Sequence, residues 1–338
     1  MSQVVAEPTA PDAIAVAAGE VVGRTPWQIF WGRFKKDKVA FVGAGFIILL
    51  GLVAILAPFI ANHIIHHGPN QLLGSPNSST GEPAVLPNVL SPIGLPTGPS
   101  GKLWFGADQS GRDLFVRVIY GAQTSLTVAL LATGISVLIG VILGVVAGFT
   151  GGIIDTVIAR TIDIVMSLPI LLFAIGIAGA CSISPQGCTI GFLHLEPGRN
   201  LVVFIIALVN WTYIARIVRG QTFSLREREF VESARALGAP GRRIMFREIL
   251  PNLVAPIIVY ATLIIPSNII FEASLSFLGV GIPQDTPSWG RMLSDATQLF
   301  RVAWWMMLFP GLFLFLTTLS FNLLGDGLRD ALDPRSGR

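Results

Sequence analysis

The chain has 338 residues, of which 52% are hydrophobic and only 13% are charged, and its formal net charge is +3. A soluble globular protein carries about 25% charged residues, so charge this scarce cannot cover a water-facing surface and lipid must cover much of it. This composition excludes soluble enzymes, disordered chains and nucleic-acid binders. The two cysteines are too few for a disulfide scaffold or a four-ligand zinc site.

The first 38 residues are rich in Ala, Pro and Val and end in a cluster of cations. Their apolar patch, 13–22, has no cationic residue before it and contains Glu20, which argues against a signal peptide. We therefore predict a cytoplasmic N-terminal tail over 1–38.

Six apolar stretches each come close to the roughly 20 residues that a helix needs to cross a bilayer. In chain order they are 39–61, 125–149, 157–180, 201–218, 254–271 and 302–324. The fifth contains Pro256 and Pro266 and is predicted to be broken there. The segment 62–121 is rich in Pro, Gly, Ser and Asn and predicts an irregular loop. The fold class is therefore an all-α integral membrane protein with six transmembrane helices.

The cations indicate the orientation of the chain. With the N-terminus inside, most of the 23 Lys and Arg residues fall on the inner side, as short loops near membrane ends require. Both termini are therefore predicted to be cytoplasmic. The predicted organisation is the tail 1–38, a first helix and long extracytoplasmic loop over 39–121, a five-helix transmembrane domain over 122–328, and a cytoplasmic tail over 329–338.

Two patterns inside the spans predict contacts between helices. Gly140, Gly144 and Gly148 recur every four residues in the second span, which favours close approach of another helix. Arg160 and Asp163 are three residues apart in the third span, so they share a helix face and are expected to pair.

Polar residues in the fourth and fifth spans are candidates for a translocation pathway, since amides within lipid are tolerated where they face protein or a cavity. The candidates are Asn210, Ser267, Asn268 and Glu272. An equally open alternative is that the amides only bond neighbouring helices.

No catalytic site is predicted. The only Gly-Lys pair, Gly101-Lys102, is followed by Leu103 where an ATP-binding loop needs Ser or Thr. The clustered His63, His66 and His67 have no adjacent cysteine or carboxylate, so we expect no metal there.

Cys181 and Cys188 are predicted to form a disulfide. Both fall in the short outer loop between the third and fourth spans, in an oxidising compartment. Pro185 and Gly187 let the intervening chain turn back. Two free thiols are the alternative.

The inner loop between the fourth and fifth spans carries the most specific pattern. A helix is predicted over 226–237, with Gly238 as a left-handed stop and Pro240 beginning a second short helix. Val231, Ala234 and Leu237 recur at helical spacing, which favours docking onto a partner protein.

This loop resembles the EAA loop of binding-protein-dependent ABC importer permeases. The matching residues are Glu232, Ser233, Ala234, Gly238, Leu250 and Pro251. Ser233 replaces the middle Ala of that motif, and Glu248 stands where members of the peptide branch usually carry His. Three further stretches, 30–38, 105–113 and 272–290, resemble the second (C-type) permease subunit of the peptide/nickel branch, so the resemblance covers roughly 27–330.

The resemblance implies a type I importer permease in the cell membrane of a prokaryote, acting on di- or oligopeptides. The implied partners are a homologous permease, two ATPase subunits that hold ATP and magnesium, and an extracytoplasmic binding protein. The chain itself would bind no cofactor, and the loop containing Glu232, Leu237 and Gly238 would couple it to the ATPases. Nickel or glutathione import, a secondary transporter and a membrane scaffold are the alternatives.

Overall fold

The computed structural model describes residues 26–74, 86, 88–183, 187–190 and 193–332. Most of the predicted N-terminal tail and the last six residues of the C-terminal tail lie outside this part of the chain. The helices of the first half are α1 (Pro26–Phe34), α2 (Lys38–Ile55), α3 (Ala57–Phe59), α4 (Leu114–Thr150), α5 (Gly152–Ser167) and α6 (Ile170–Ser182). A π-helical turn, Ile60–Ile65, follows α3.

The second half begins with a small antiparallel hairpin of β1 (Cys188–Ile190) and β2 (Leu193–Leu195), which the sequence did not predict. The remaining helices are α7 (Arg199–Arg226), α8 (Glu229–Ala236), α9 (Gly241–Arg243), α10 (Leu250–Phe277), α11 (Trp289–Ala296) and α12 (Trp305–Leu332). A second π-helical turn, Ile244–Ile249, joins α9 to α10.

Among the described residues, five helical segments are long and apolar enough to cross a membrane. They are α2, α4, α7, the continuous stretch 241–277, and α12. A bent pair, α5 and α6, supplies the sixth, so the predicted fold of six spans is confirmed.

The third span is not one straight helix. The axes of α5 and α6 differ by 84°, and Leu168 between them is extended, with ψ of 138°. The cause is Pro169, because a proline pushes the preceding residue out of the helical region.

The fifth span is not broken, contrary to the prediction. The helix α10 runs through both Pro256 and Pro266 without interruption. Neighbouring helices let membrane proteins tolerate prolines within spans.

The centre of the fold is the pairing of α4 with α7. A Cβ atom added to Gly144 would lie 2.8 Å from the carbonyl oxygen of Ala215, and Gly140 and Gly148 meet α7 just as closely. The predicted glycine face is thus confirmed as a packing face inside this chain.

The predicted pair of Arg160 and Asp163 is wrong. Asp163 instead accepts from the guanidinium of Arg216 on α7, at 2.7 Å. A second ion pair, between Asp155 and Arg219, joins the same two helices. The charges of α5 therefore fix it to α7.

The long segment between the first two spans is shorter and more ordered than predicted, since α4 begins at Leu114. Leu73, Val89, Leu103 and Ala107 form a small apolar cluster within it. The indole Nε1 of Trp305 donates to the carbonyl oxygen of Ala107 at 3.0 Å, which joins this segment to the start of α12.

Two charged pairs form within this segment. Arg112 donates to Asp108 at 2.6 Å, and His67 contacts Asp113 at 2.9 Å. In the described part of the chain no cluster of residues is suited to hold a metal ion.

Candidate functional site

The predicted docking element is a short helix between two long ones. The span α7 continues to Arg226, and α8 begins only at Glu229, after Arg228 turns extended with ψ of 148°. The prediction of one helix over 226–237 is therefore wrong at its start. Two acidic residues in the first turn of α8 and Arg235 in its last turn favour the helix through its dipole.

Gly238 ends this helix in the left-handed conformation, with φ of +77°. Two hydrogen bonds close the end, from the N–H of Gly238 to the carbonyl of Arg235 at 2.9 Å and from the N–H of Ala239 to that of Ala234 at 3.0 Å. This pair of bonds is the Schellman motif, which favours glycine at the position that Gly238 occupies. The element is thus a helix with a defined end.

The three apolar residues predicted to dock divide between two faces. Val231 is fully buried against the chain's own helices and Ala234 is half-buried, whereas Leu237 is 88% exposed. Val231 packs in a cluster with Val145 of α4 and Ile214 of α7. Only Leu237 of the three is presented to a partner, while Glu232 and Ser233 beside it are also exposed.

The part of the loop that follows Gly238, from Pro240 to Arg247, forms a basic surface. Ile244 and Ile249 are buried, and Leu250 and Pro251 begin α10. A surface depression of about 520 Å³ is lined by Pro240, Arg242, Arg243, Phe246 and Arg247. This surface therefore combines exposed guanidinium groups with the aromatic ring of Phe246.

Phe149, in the last turn of α4, contacts the loop. The guanidinium carbon of Arg235 lies 5.6 Å from the centre of the Phe149 ring. A Cβ on Gly241 would lie 3.1 Å from the same ring. Phe149 could not be predicted from the sequence, because nothing in the sequence links the end of one span to a loop some ninety residues later.

The candidate pathway residues lie mostly inside the chain. Asn268 is fully buried; it donates to the hydroxyl of Thr133 at 2.7 Å and accepts from Asn210. Glu272 is also fully buried and accepts from the hydroxyls of Ser125 and Ser276, both at 2.8 Å. These groups bond neighbouring helices, which is the alternative that the sequence left open.

Ser267 differs from the other three pathway candidates, because its side chain is exposed on the surface of the chain.

The two cysteines form the predicted disulfide. Cys181 at the end of α6 and Cys188 in β1 are bonded, with their Cα atoms 4.7 Å apart.

Comparison with known proteins agrees with this architecture. Residues 140–338 match the family described as the inner membrane component of binding-protein-dependent transport systems. Residues 25–73 match the N-terminal transmembrane domain of oligopeptide transport permease C.

Individual relatives align over nearly the whole chain. The glutathione transport system permease protein GsiD of Escherichia coli O157:H7 is 40% identical over 312 residues, which covers 92% of this chain and 91% of the relative. GsiD of Salmonella typhimurium is 42% identical with the same coverage. The chain therefore belongs to the family of inner-membrane components of binding-protein-dependent transport systems, and it is a multi-pass permease subunit of an ABC importer.

Proposed function

We propose that this permease forms half of the translocation route of an ATP-driven importer of di- or oligopeptides. A homologous permease would supply the other half, and an extracytoplasmic binding protein would deliver the peptide. The observation that carries the proposal is the α8–Gly238 element, a defined helix that presents Leu237 beside a basic surface. A chain that transported without partners would have no use for such an element.

The α8–Gly238 element is the proposed contact with one of two ATPase subunits. Leu237 would enter an apolar groove, and the cations Arg242, Arg243 and Arg247 would face acidic residues around it. ATP and magnesium would be held by the ATPases, with no cofactor in this chain. Because Val231 ties the element to α4 and α7, movement of an ATPase would be transmitted to the spans.

The proposed contact with an ATPase also implies an orientation of the chain in the membrane. The element must lie in the cytoplasm where ATP is present, and the six spans then place both termini on the same side. The excess of cations on that side supports it.

The relatives named above narrow the proposed substrate. They are named as glutathione permeases, and glutathione is itself a tripeptide, so short peptides and glutathione form one chemical class. Nickel uptake has no comparable support from the names of these relatives.

Co-purification with the ATPases tests the coupling role. The complex is purified through a tag on this chain, as wild type and with Leu237→Asp. We expect the wild type to retain the ATPases and Leu237→Asp to lose most of them, because a charge would be buried in an apolar groove. Leu72→Asp, the same change at an exposed position outside the spans, is the control. Full retention of the ATPases by Leu237→Asp would contradict the proposal.

A further inference from the structure

Two polar side chains on neighbouring spans are exposed on the surface of the chain at one depth. Ser267 lies in α10 and Asn322 lies in α12, and both are exposed. Asn322 is ten residues from the inner end of α12, which is roughly 15 Å at 1.5 Å per residue. An amide exposed at this depth is costly in lipid and is tolerated where it faces protein or water.

The packing of α10 on α12 places the two residues side by side. A Cβ on Gly325 would lie 2.8 Å from the Leu263 side chain, so these residues mark one level of the antiparallel pair. Ser267 is one turn beyond Leu263, and Asn322 is one turn before Gly325. Because the helices run in opposite directions, both steps lead outward by about 5–6 Å.

Two cavities lie along the face that α10 and α12 share, one on each side of the depth at which Ser267 and Asn322 lie. The outer cavity, about 350 Å³, is lined by residues that include Ile270 and Ser274 of α10 and Leu314 of α12. The inner one, about 520 Å³, includes Leu263, Val259 and Arg329. Ser267 is four residues from Leu263 and three from Ile270, so it lies between the cavities on one stripe of α10.

The inner cavity has the composition of a site for a small polar solute. Gln221, Asn252, Tyr260 and Arg329 supply polar groups, and Pro256, Val259 and Leu263 supply apolar surface. Its volume falls within the range of roughly 300–1,000 Å³ of small-molecule sites. Arg329 is an exposed cation on the same face as Asn322, seven residues away.

We propose that the α10–α12 face bearing Ser267 and Asn322 lines the aqueous translocation route, and that Arg329 at its inner end binds the carboxylate of the translocated peptide. This rests on the proposed import of peptides. A guanidinium offers paired N–H donors that match a carboxylate. A free C-terminus is the group that every unmodified short peptide carries.

Thiol labelling tests the face without requiring transport. Ser267→Cys and Asn322→Cys are placed in the assembled importer, in membranes permeabilised so that both sides are reached, and treated with a small charged methanethiosulfonate. Cys181 and Cys188 are bonded to each other, so the wild type serves as the blank. We expect both variants to react at least about tenfold faster than Ile48→Cys, which lies on an exposed apolar face of α2.

Asn268→Cys is the matched control for Ser267→Cys, since the two residues are adjacent and only Asn268 is buried. Reaction of Ser267→Cys and Asn322→Cys as slow as that of Ile48→Cys would mean that the face contacts lipid or the partner permease rather than water, and it would overturn the proposal. A failure of peptide import itself would appear separately, as absent ATP-driven uptake with normal labelling.

The role of Arg329 is tested by uptake of a peptide and of its C-terminally amidated form. Arg329→Gln should raise the KM for the free acid by about tenfold, as loss of a charge-assisted hydrogen bond predicts. The KM for the amide should change little, and Arg329→Lys should restore much of the affinity for the acid. Equal effects of Arg329→Gln on both substrates would contradict the carboxylate assignment.

Discussion

The N–H of Ala239 donates to the carbonyl oxygen of Ala234 at 3.0 Å, and this bond spans Gly238. It holds only while Gly238 keeps its φ of +77°. The end of the proposed ATPase contact therefore depends on one residue without a side chain. A helix that continued past this point would redirect the chain from Ala239 onward, and with it the basic surface that follows.

Gly238→Val should disturb the docking element locally. A side chain in the left-handed region costs about 1–2 kcal/mol, more for a β-branched residue. We expect ATP-driven uptake to fall by at least about tenfold while the spans remain folded, measured as uptake and as thermal stability of the complex. The matched control is Gly220→Ala in α7, where an added Cβ meets nothing within 4 Å. Normal uptake by Gly238→Val would contradict the account.

Gly144→Leu should prevent the pairing of α4 with α7. The added side chain would overlap Ala215 and Val218, since even a Cβ lies 2.8 Å from both. We expect little folded protein in the membrane, because overpacking of this kind costs at least about 1–3 kcal/mol. Gly134→Leu on the same helix has open space at the Cβ and should accumulate normally. Equal yields of the two variants, read by fluorescence-detected size exclusion, would refute the packing role.

Asn268→Leu should destabilise the protein by about 1–3 kcal/mol, since it leaves Thr133 and Asn210 without their partner in a buried site. The measurement is the thermal midpoint of the purified chain in detergent. Ser267→Ala is the neighbouring control, and because Ser267 is exposed its midpoint should barely move. If Asn268→Leu were as stable as the wild type, the amide network would have no structural role.

Asp295 in α11 should make stability depend on pH. Burial raises the pKa of this carboxyl above its usual value, although Arg291, 3.2 Å away, acts in the opposite direction. The folded protein then holds the proton more tightly than the unfolded chain. The contribution of Asp295 to the free energy of unfolding is fully present below the ordinary aspartate pKa of about 3.9. It is lost as the pH rises through the pKa of this group in the folded protein.

Asparagine cannot ionise, so the Asp295→Asn variant does not lose stability in this way as the pH rises. We expect the thermal midpoint of the variant, relative to the wild type, to rise as pH is raised from about 4 to 7. The comparison is made in one buffer series at constant ionic strength. A relative midpoint that falls over this range would show that the ion pair with Arg291 outweighs the cost of burial.

Alkylation without reductant should add no label to the wild-type chain. Cys181 and Cys188 are bonded, and reduction should add two labels by intact mass. Cys181→Ser should lower stability by up to about 2–3 kcal/mol, as expected for a short closed loop. Two labels without reductant would contradict both the bond and the placement of this loop on the outer side.

The span pattern and the family were accessible from sequence because they depend on local composition and on motifs. Apolar length identified six spans, and the order of Glu232, Gly238 and Pro251 identified the family. The bend at Pro169 was missed, whereas Pro256 and Pro266 were wrongly expected to break a helix. The effect of a proline within a span depends on whether neighbouring helices compensate, and a single sequence does not contain that information.

The candidate pathway residues also show that a single sequence does not contain the packing between helices. Ser267 and Asn268 are adjacent and equally polar, yet one is exposed and the other is buried. Which side of a helix faces its own chain depends on tertiary packing, so the sequence could not separate them. Asn322 was overlooked because an isolated amide in an apolar span gives no signal until its exposure is known.

We propose that this chain is one of the two membrane subunits of an ATP-driven peptide importer. The most direct measurement reconstitutes the permease with its homologous partner, ATPases and binding protein in proteoliposomes and follows a labelled tripeptide such as glutathione. The account predicts accumulation that requires ATP on the side of the coupling element and binding protein on the other, and that persists when the proton gradient is collapsed. Accumulation driven by an ion gradient without ATP would contradict it.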